Sequence, residues 1–72
     1  MEVDVQRLRE LRRDRALSMR ELADMAGIAH NTIYRIESGH QKETLPRTIR
    51  YLAAALGVEP KVLMKREVGP HS

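Results

Sequence analysis

The 72-residue chain contains no Cys, Trp or Phe and carries 13 Lys and Arg against 10 Asp and Glu, which gives a formal net charge of +3. A chain of this length forms one domain at most, with a small core, and the lack of Cys excludes disulfides and thiolate metal sites. No apolar run approaches the roughly 20 residues of a membrane-spanning helix, and the opening MEVDVQRLRE lacks the apolar stretch of a secretory signal. These exclusions predict a cytoplasmic protein with no membrane partner, and the basic balance permits binding to nucleic acid.

The first two predicted helices are marked by an apolar stripe and by a capping sequence. A helix over residues 5–16 is predicted because Val5, Leu8 and Leu11 recur at helical spacing. Ser18 and Glu21 form the S-x-x-E capping box that begins a second helix. The buried side of this second helix is predicted to consist of Leu22, Ala23, Met25 and Ala26. Gly27 is predicted to end the helix.

A third helix is predicted to begin about three residues after Gly27 and to run to about residue 38. Two short helices joined by a tight turn that contains Gly make up a helix-turn-helix unit. Ala23 supplies the small residue that is needed where the two helices cross, four residues before the glycine of the turn. The second helix of the unit would be seated on the core by Ile28, Ile33 and Ile36.

Two more helices complete the predicted fold. Pro46 follows the polar loop 40–45 and suits the first turn of a fourth helix, where its missing N–H is no loss. The apolar face of this helix and its terminating glycine are Ile49, Leu52, Ala53, Leu56 and Gly57. Pro60 opens a short fifth helix, and residues 67–72 are expected to form a flexible tail. The sequence therefore predicts an all-α domain over residues 1–66, without strands.

This pattern resembles the Cro/repressor-type helix-turn-helix domains, also called the xenobiotic-response-element family. The resemblance rests on the stretches LRELRRDRALSMRELADMAGIAHNTIYRIESG and TIRYLAAALGV, which cover most of residues 8–58. It implies a compact five-helix, lambda-repressor-like domain. It also implies a transcriptional regulator that binds a palindromic operator in double-stranded DNA, usually as a dimer.

In such domains the third helix is the recognition helix, which lies in the major groove. The resemblance therefore implies that His30, Asn31, Tyr34 and Arg35 face base edges, where Asn pairs with adenine and Arg with guanine. Other interpretations remain open for three of them. Asn31 would cap the third helix because Ala29 is a poor cap, Tyr34 would cover the domain surface, and Arg35 would pair with a nearby Glu.

Contacts to DNA phosphates are expected around the N-termini of the second and fourth helices, which carry free N–H groups and partial positive charge. Two departures from the family pattern weaken this expectation. Met19 stands where the family often has a phosphate-binding Gln, and the loop HQKETL lacks the usual Pro. The predicted phosphate-contacting residues, for which a solvated surface is the alternative, are Arg20, Thr32, Lys42, Arg47 and Arg50.

The family pattern also implies a largely buried ion pair between Arg12 in the first helix and Glu37 at the end of the third. Removing one partner of a fully buried pair leaves a stranded charge, at a cost of about 3–5 kcal/mol. This pair is expected to be structural.

A homodimer is expected to form through the C-terminal part of the chain, although the same residues would serve equally well as a lid on the core. The candidate dimer residues are Val58, Val62, Leu63 and Met64. A phage-type repressor, a restriction–modification controller and an antitoxin all fit the sequence. The alternative class is a protein-binding adapter or antitoxin with little DNA readout of its own. An enzyme is not expected, because no metal-binding, nucleophilic or phosphate-loop motif is seen, and neither a cofactor nor a metal is expected.

Overall fold

The computed structural model describes residues 1–65, which form four α-helices followed by a short 3₁₀ helix. The helices are α1 (Val5–Asp14), α2 (Met19–Ala26), α3 (His30–Glu37), α4 (Pro46–Leu56) and the 3₁₀ helix (Pro60–Leu63). Within the described range there are two isolated β-bridges and no strand, so the all-α class and the helix-turn-helix order are confirmed. The fifth predicted helix is a single 3₁₀ turn. The expected domain boundary at residue 66 and the expected tail lie outside the described residues.

The first helix is shorter than predicted. It ends at Asp14, and Ala16 adopts a φ of 53°. This left-handed conformation is one that L-residues adopt at a cost and that cannot continue an α-helix. The N–H of Leu17 then donates to the C=O of Arg12 over 3.1 Å, so the chain turns back directly into α2.

The second helix begins and ends as predicted. The N–H of Glu21 donates to Ser18 Oγ over 3.0 Å, and the N–H of Ser18 donates to Glu21 Oε1 over 2.9 Å. These hydrogen bonds with Ser18 hold the pKa of the Glu21 carboxyl below its ordinary value. The prediction for Met25 is wrong, because its side chain is 56% exposed. The buried face of this eight-residue helix is narrow, and Met25 falls outside it.

Eleven buried apolar side chains form one core, to which every helix contributes. They are Val3, Leu8, Leu22, Ala23, Ile33, Ile36, Ile49, Leu52, Ala53, Leu56 and Leu63. Leu63 has no exposed surface, so its assignment to a dimer surface is corrected and the lid interpretation holds for this residue. The 3₁₀ helix directs the side chain of Leu63 into the core, whereas its neighbours Val62 and Met64 are half-buried.

The sequence did not reveal that residues 1–4 are part of the fold. The N–H of Val3 donates to the C=O of Lys42 over 3.0 Å, and the N–H of Asp4 donates to the C=O of Leu63 over 2.8 Å. Val3 is also buried. The extended N-terminal segment therefore lies between the α3–α4 loop and the end of the 3₁₀ helix, and it joins both to α1.

None of the helices within residues 1–65 is both long and apolar enough to cross a membrane.

Candidate nucleic-acid interface

Helix α3 has one buried side and one exposed side. Ile33 and Ile36 are fully buried in the core. The four side chains predicted to read bases all lie on the exposed part of the helix, and they are His30, Asn31, Tyr34 and Arg35. Asn31 and Arg35 are four residues apart, so they project from the same side on successive turns. The fold therefore presents these polar groups together on one outward surface.

Two of the alternative interpretations for these residues are not found. Ala29 occupies the N-cap position of α3 and makes no side-chain cap, while Asn31 lies inside the first helical turn. The proposed capping role of Asn31 is therefore wrong. The guanidinium of Arg35 forms no ion pair with any Glu among residues 1–65. Tyr34 is 49% exposed, so part of its ring covers the domain surface and part is available to a ligand.

The C-terminal end of α3 is fixed to α1 by a two-point ion pair. Arg12 Nε lies 2.7 Å from Glu37 Oε2, and Arg12 Nη2 donates to Glu37 Oε1 over 2.8 Å. The two side chains are 13% and 6% exposed. The hydrogen bond to Glu37 raises the pKa of Arg12 above its ordinary value, although partial burial opposes this. Arg12 also donates to the C=O of Leu17 over 2.8 Å, so one guanidinium joins α1, α3 and the turn before α2.

A second arginine holds the same helix end, and sequence reasoning missed it. Arg9 Nη2 donates to the C=O of Glu37 over 2.7 Å, and Arg9 Nε lies 3.7 Å from Glu37 Oε1. The spacing held a usable signal, because residues three apart share one face of a helix and Arg9 precedes Arg12 by three. The last carbonyl of α3 is thereby paired with a cation, which suits the negative end of the helix dipole.

The predicted phosphate-contacting residues lie in separate places, and one of them, Arg50, is exposed on α4. Thr32 is half-buried and shares a surface depression with Thr48, beside the start of α4, where Arg47 is exposed. Lys42 borders a different depression, next to Glu2 and Asp4 of the N-terminal segment.

The N-terminus of α2 is a weak anion site. Arg20 is exposed there, but the carboxylate of Glu21 already occupies the N–H of Ser18. A negative charge at this position opposes the approach of a phosphate. The structure therefore brings Thr32 close to the start of α4 and does not bring Lys42 or Arg20 to the same place.

Residues 8–63 match the model of the Helix-turn-helix family. The chain belongs to this family. Over 59 residues it is 48% identical to the uncharacterized HTH-type transcriptional regulator RghRB of Bacillus subtilis, and the match covers 82% of this chain and 42% of that protein. The chain spans less than half the length of the curated relatives that it matches.

Two solved proteins share the fold. The restriction-modification controller protein C.AhdI from Aeromonas hydrophila is 38% identical, with a TM-score of 0.73 over 81% of this chain and 86% of that chain. The N-terminal DNA-binding domain of SinR from Bacillus subtilis is 27% identical, with a TM-score of 0.81 over 88% of this chain and 91% of that chain. SinR in complex with DNA matches with 28% identity and a TM-score of 0.77 over 81% and 95% of the two chains.

Proposed function

We propose that this chain is the sequence-specific DNA-binding part of a transcriptional regulator and that it inserts α3 into the major groove of double-stranded DNA. One observation carries the proposal. The exposed polar side chains of α3 lie on a helix whose other end is fixed to α1 by Arg9 and Arg12. A reading helix must hold its side chains in a fixed register against base edges. The likeness to SinR, which was solved in complex with DNA, supports the same assignment.

The exposed side chains of α3 differ in the bases that they can recognise. Asn31 presents both a donor and an acceptor, which match adenine N6 and N7, and Arg35 presents paired donors, which match guanine O6 and N7. Each such pair discriminates against the wrong base by about 1–3 kcal/mol. His30 and Tyr34 contact neighbouring bases or the sugar–phosphate wall. The phosphate contacts come chiefly from Thr32 of α3 and from Arg47 and Arg50 of α4. Arg20 and Lys42 lie apart from this group and would contact other phosphates, Arg20 against the opposing charge of Glu21.

The protein binds as a homodimer on a palindromic operator. The half-buried apolar side chains of Val58, Val62 and Met64 supply part of the contact between subunits. Two-fold symmetry places the two copies of α3 about 34–36 Å apart, which is one turn of duplex. We expect this activity in the cytoplasm, on nucleoid DNA.

Selection of bound sites from random duplexes tests the proposal directly. We expect an inverted repeat whose half-sites are about one helical turn apart, and an affinity that falls steeply with salt because phosphate contacts release counterions. The alternative, a protein-binding adapter, predicts no enriched motif and only weak binding near ~100 mM salt, whatever the sequence.

A further inference from the structure

We propose that a basic notch between α1 and α3, built around Arg13 and Tyr34, binds one phosphate of the DNA backbone. The inference rests on the proposed function and adds a contact that the sequence did not indicate. The notch is a surface depression of about 300 Å³ between α1, the start of α2 and the outer side of α3. Its lining residues are Arg9, Arg12, Arg13, Met19, Tyr34, Glu37 and Ser38.

The charge of the notch favours an anion. Glu37 is its one acidic residue, and this carboxylate is 6% exposed and already held by Arg12 and Arg9. Three guanidinium groups face one carboxylate, so the notch carries two net positive charges. Arg13 is exposed, and within residues 1–65 its guanidinium has neither an ion pair nor a hydrogen bond. A phosphate placed here would meet a free charged donor and would not displace the Arg12–Glu37 pair.

The position of the notch selects a backbone phosphate from among possible anions. Tyr34 and Ser38 lie on the exposed side of α3, together with Asn31 and Arg35. An α-helix with its side chains is about 10–12 Å across and fills a major groove about 12 Å wide. A feature that flanks α3 therefore meets the sugar–phosphate wall when the helix reads bases. The hydroxyl of Tyr34 can donate to that phosphate from the α3 side while Arg13 approaches it from α1.

The chain offers a matched control on the same helix. Arg7 is an exposed arginine of α1 that borders a different depression, with Lys61 and Met64 of the C-terminal part. Neither the proposed readout nor the notch uses Arg7. Val62 and Met64 of the proposed subunit contact line the same depression, so analytical ultracentrifugation must first show that Arg7→Ala keeps the oligomeric state of the wild type. Arg7→Ala and Arg13→Ala remove the same charge from the same helix, so a difference between them reports position and not net charge.

The experiment measures the affinity for the selected operator as a function of salt. Arg13→Ala should weaken binding roughly tenfold near 100 mM salt and should reduce the slope of log K against log[salt] by about 0.9 per subunit. Arg7→Ala should leave the slope of the wild type unchanged. Tyr34→Phe, which removes only the hydroxyl, should weaken all sequences by a similar factor, roughly threefold. Circular dichroism checks that each variant is folded.

A modified duplex identifies the phosphate. A neutral methylphosphonate is placed at each backbone position of a half-site in turn. We expect one position at which the substitution weakens the wild type but not Arg13→Ala. Equal slopes for Arg13→Ala and Arg7→Ala, or the same methylphosphonate profile for Arg13→Ala and the wild type, would overturn the notch and leave the proposed function intact. A wild type without sequence preference would instead overturn the proposed function. A changed base preference in Tyr34→Phe would assign Tyr34 to base reading and not to the notch.

Discussion

The two helices of the helix-turn-helix unit begin in opposite ways. At the start of α2 the side chains of Ser18 and Glu21 satisfy two backbone N–H groups through a complete capping box. At the start of α3 the cap residue is Ala29, and no side chain satisfies the first N–H groups. The far end of α3 is instead held by charge, through Glu37 and its two arginines. The N-terminus of α2 is thus capped by its own side chains. Helix α3 has no side-chain cap at its N-terminus and is held at its C-terminal end by arginines of α1.

This difference matches the roles proposed for the two helices. Helix α4 also begins without a side-chain cap, at Leu45, so the missing cap does not by itself single out α3. The start of α3 differs in that exposed polar side chains surround its open N–H groups. The open N–H groups of α3 lie beside His30 and Asn31, at the end that would approach DNA. The closed capping box of α2 places a carboxylate where a phosphate would otherwise be attracted. In the proposed function, α2 therefore stabilises the unit and α3 contacts DNA.

The largest expected effect comes from the anchor of α3. Glu37→Ala leaves two arginines without their carboxylate partner, and loss of one member of a buried ion pair typically costs about 3–5 kcal/mol. Because Arg12 keeps some exposure, we expect a loss near the lower end of this range in the free energy of unfolding, measured with urea. The exposed Glu10→Ala on α1 is the control, with an expected change within about 0.5 kcal/mol. A loss below 1 kcal/mol for Glu37→Ala would show that the anchor is not structural.

The capping box of α2 should contribute less. Ser18→Ala removes the side-chain acceptor of the Glu21 N–H, and substitutions of this kind cost about 1 kcal/mol of stability. We expect a lower urea midpoint and an unchanged base preference, since α3 and not α2 is proposed to read the sequence. A changed base preference in the folded variant would contradict the assignment of stabilisation to α2 and of base reading to α3.

Adding a cap to α3 should have a similar or smaller effect of opposite sign. Ala29 has extended backbone angles, with φ −66° and ψ 137°, which suit a capping Ser. Ala29→Ser should raise the free energy of unfolding by about 0.5–1 kcal/mol. Ala54→Ser, on the exposed face of α4, is the control and should destabilise slightly because Ser is the poorer helix former. If both substitutions destabilised, the start of α3 would already be satisfied in another way.

The smallest expected effect is on acid stability. The hydrogen bonds with Ser18 lower the pKa of Glu21 from its ordinary value of 4.5. A carboxyl whose pKa is depressed on folding stabilises the fold above its unfolded pKa, and this contribution disappears as the pH falls through the folded pKa. Glu21→Gln should therefore flatten the decrease in stability below about pH 4.5, whereas Glu10→Gln should not. Urea unfolding at several pH values measures this, and parallel curves for the wild type and Glu21→Gln would refute it.

The elements set by local chemistry were predictable from the sequence. The capping box at Ser18 and the glycine at position 27 fixed both ends of α2, because caps act within one helical turn. Pro46 likewise placed the start of α4. The exposed face of α3 followed from the burial of Ile33 and Ile36 at helical spacing.

Features that depend on distant contacts were not predictable. Val3 is buried because the backbone of residues 1–4 bonds to a loop about 40 residues away, and no periodicity in four residues encodes that pairing. Ala16, two residues after the end of α1, adopts a left-handed conformation that is unfavourable for Ala. The apolar character of Leu63 is compatible both with covering the core and with forming a dimer surface. The orientation of the 3₁₀ turn, which the sequence does not show, decides between these two roles. The sequence did not single out Arg9, because its contact with Glu37 depends on how α1 and α3 pack together.

If α3 reads base edges, the sequence preference of Arg35→Ala differs from that of the wild type. Binding-site selection with the wild type and with this variant compares the preference at every position of the half-site. We predict that Arg35→Ala loses about 1–3 kcal/mol of discrimination at one base position per half-site and keeps the rest of the motif. Arg47→Ala should instead weaken all sequences together. If Arg35→Ala kept the motif at every position and weakened binding to all sequences equally, base reading by Arg35 would be contradicted.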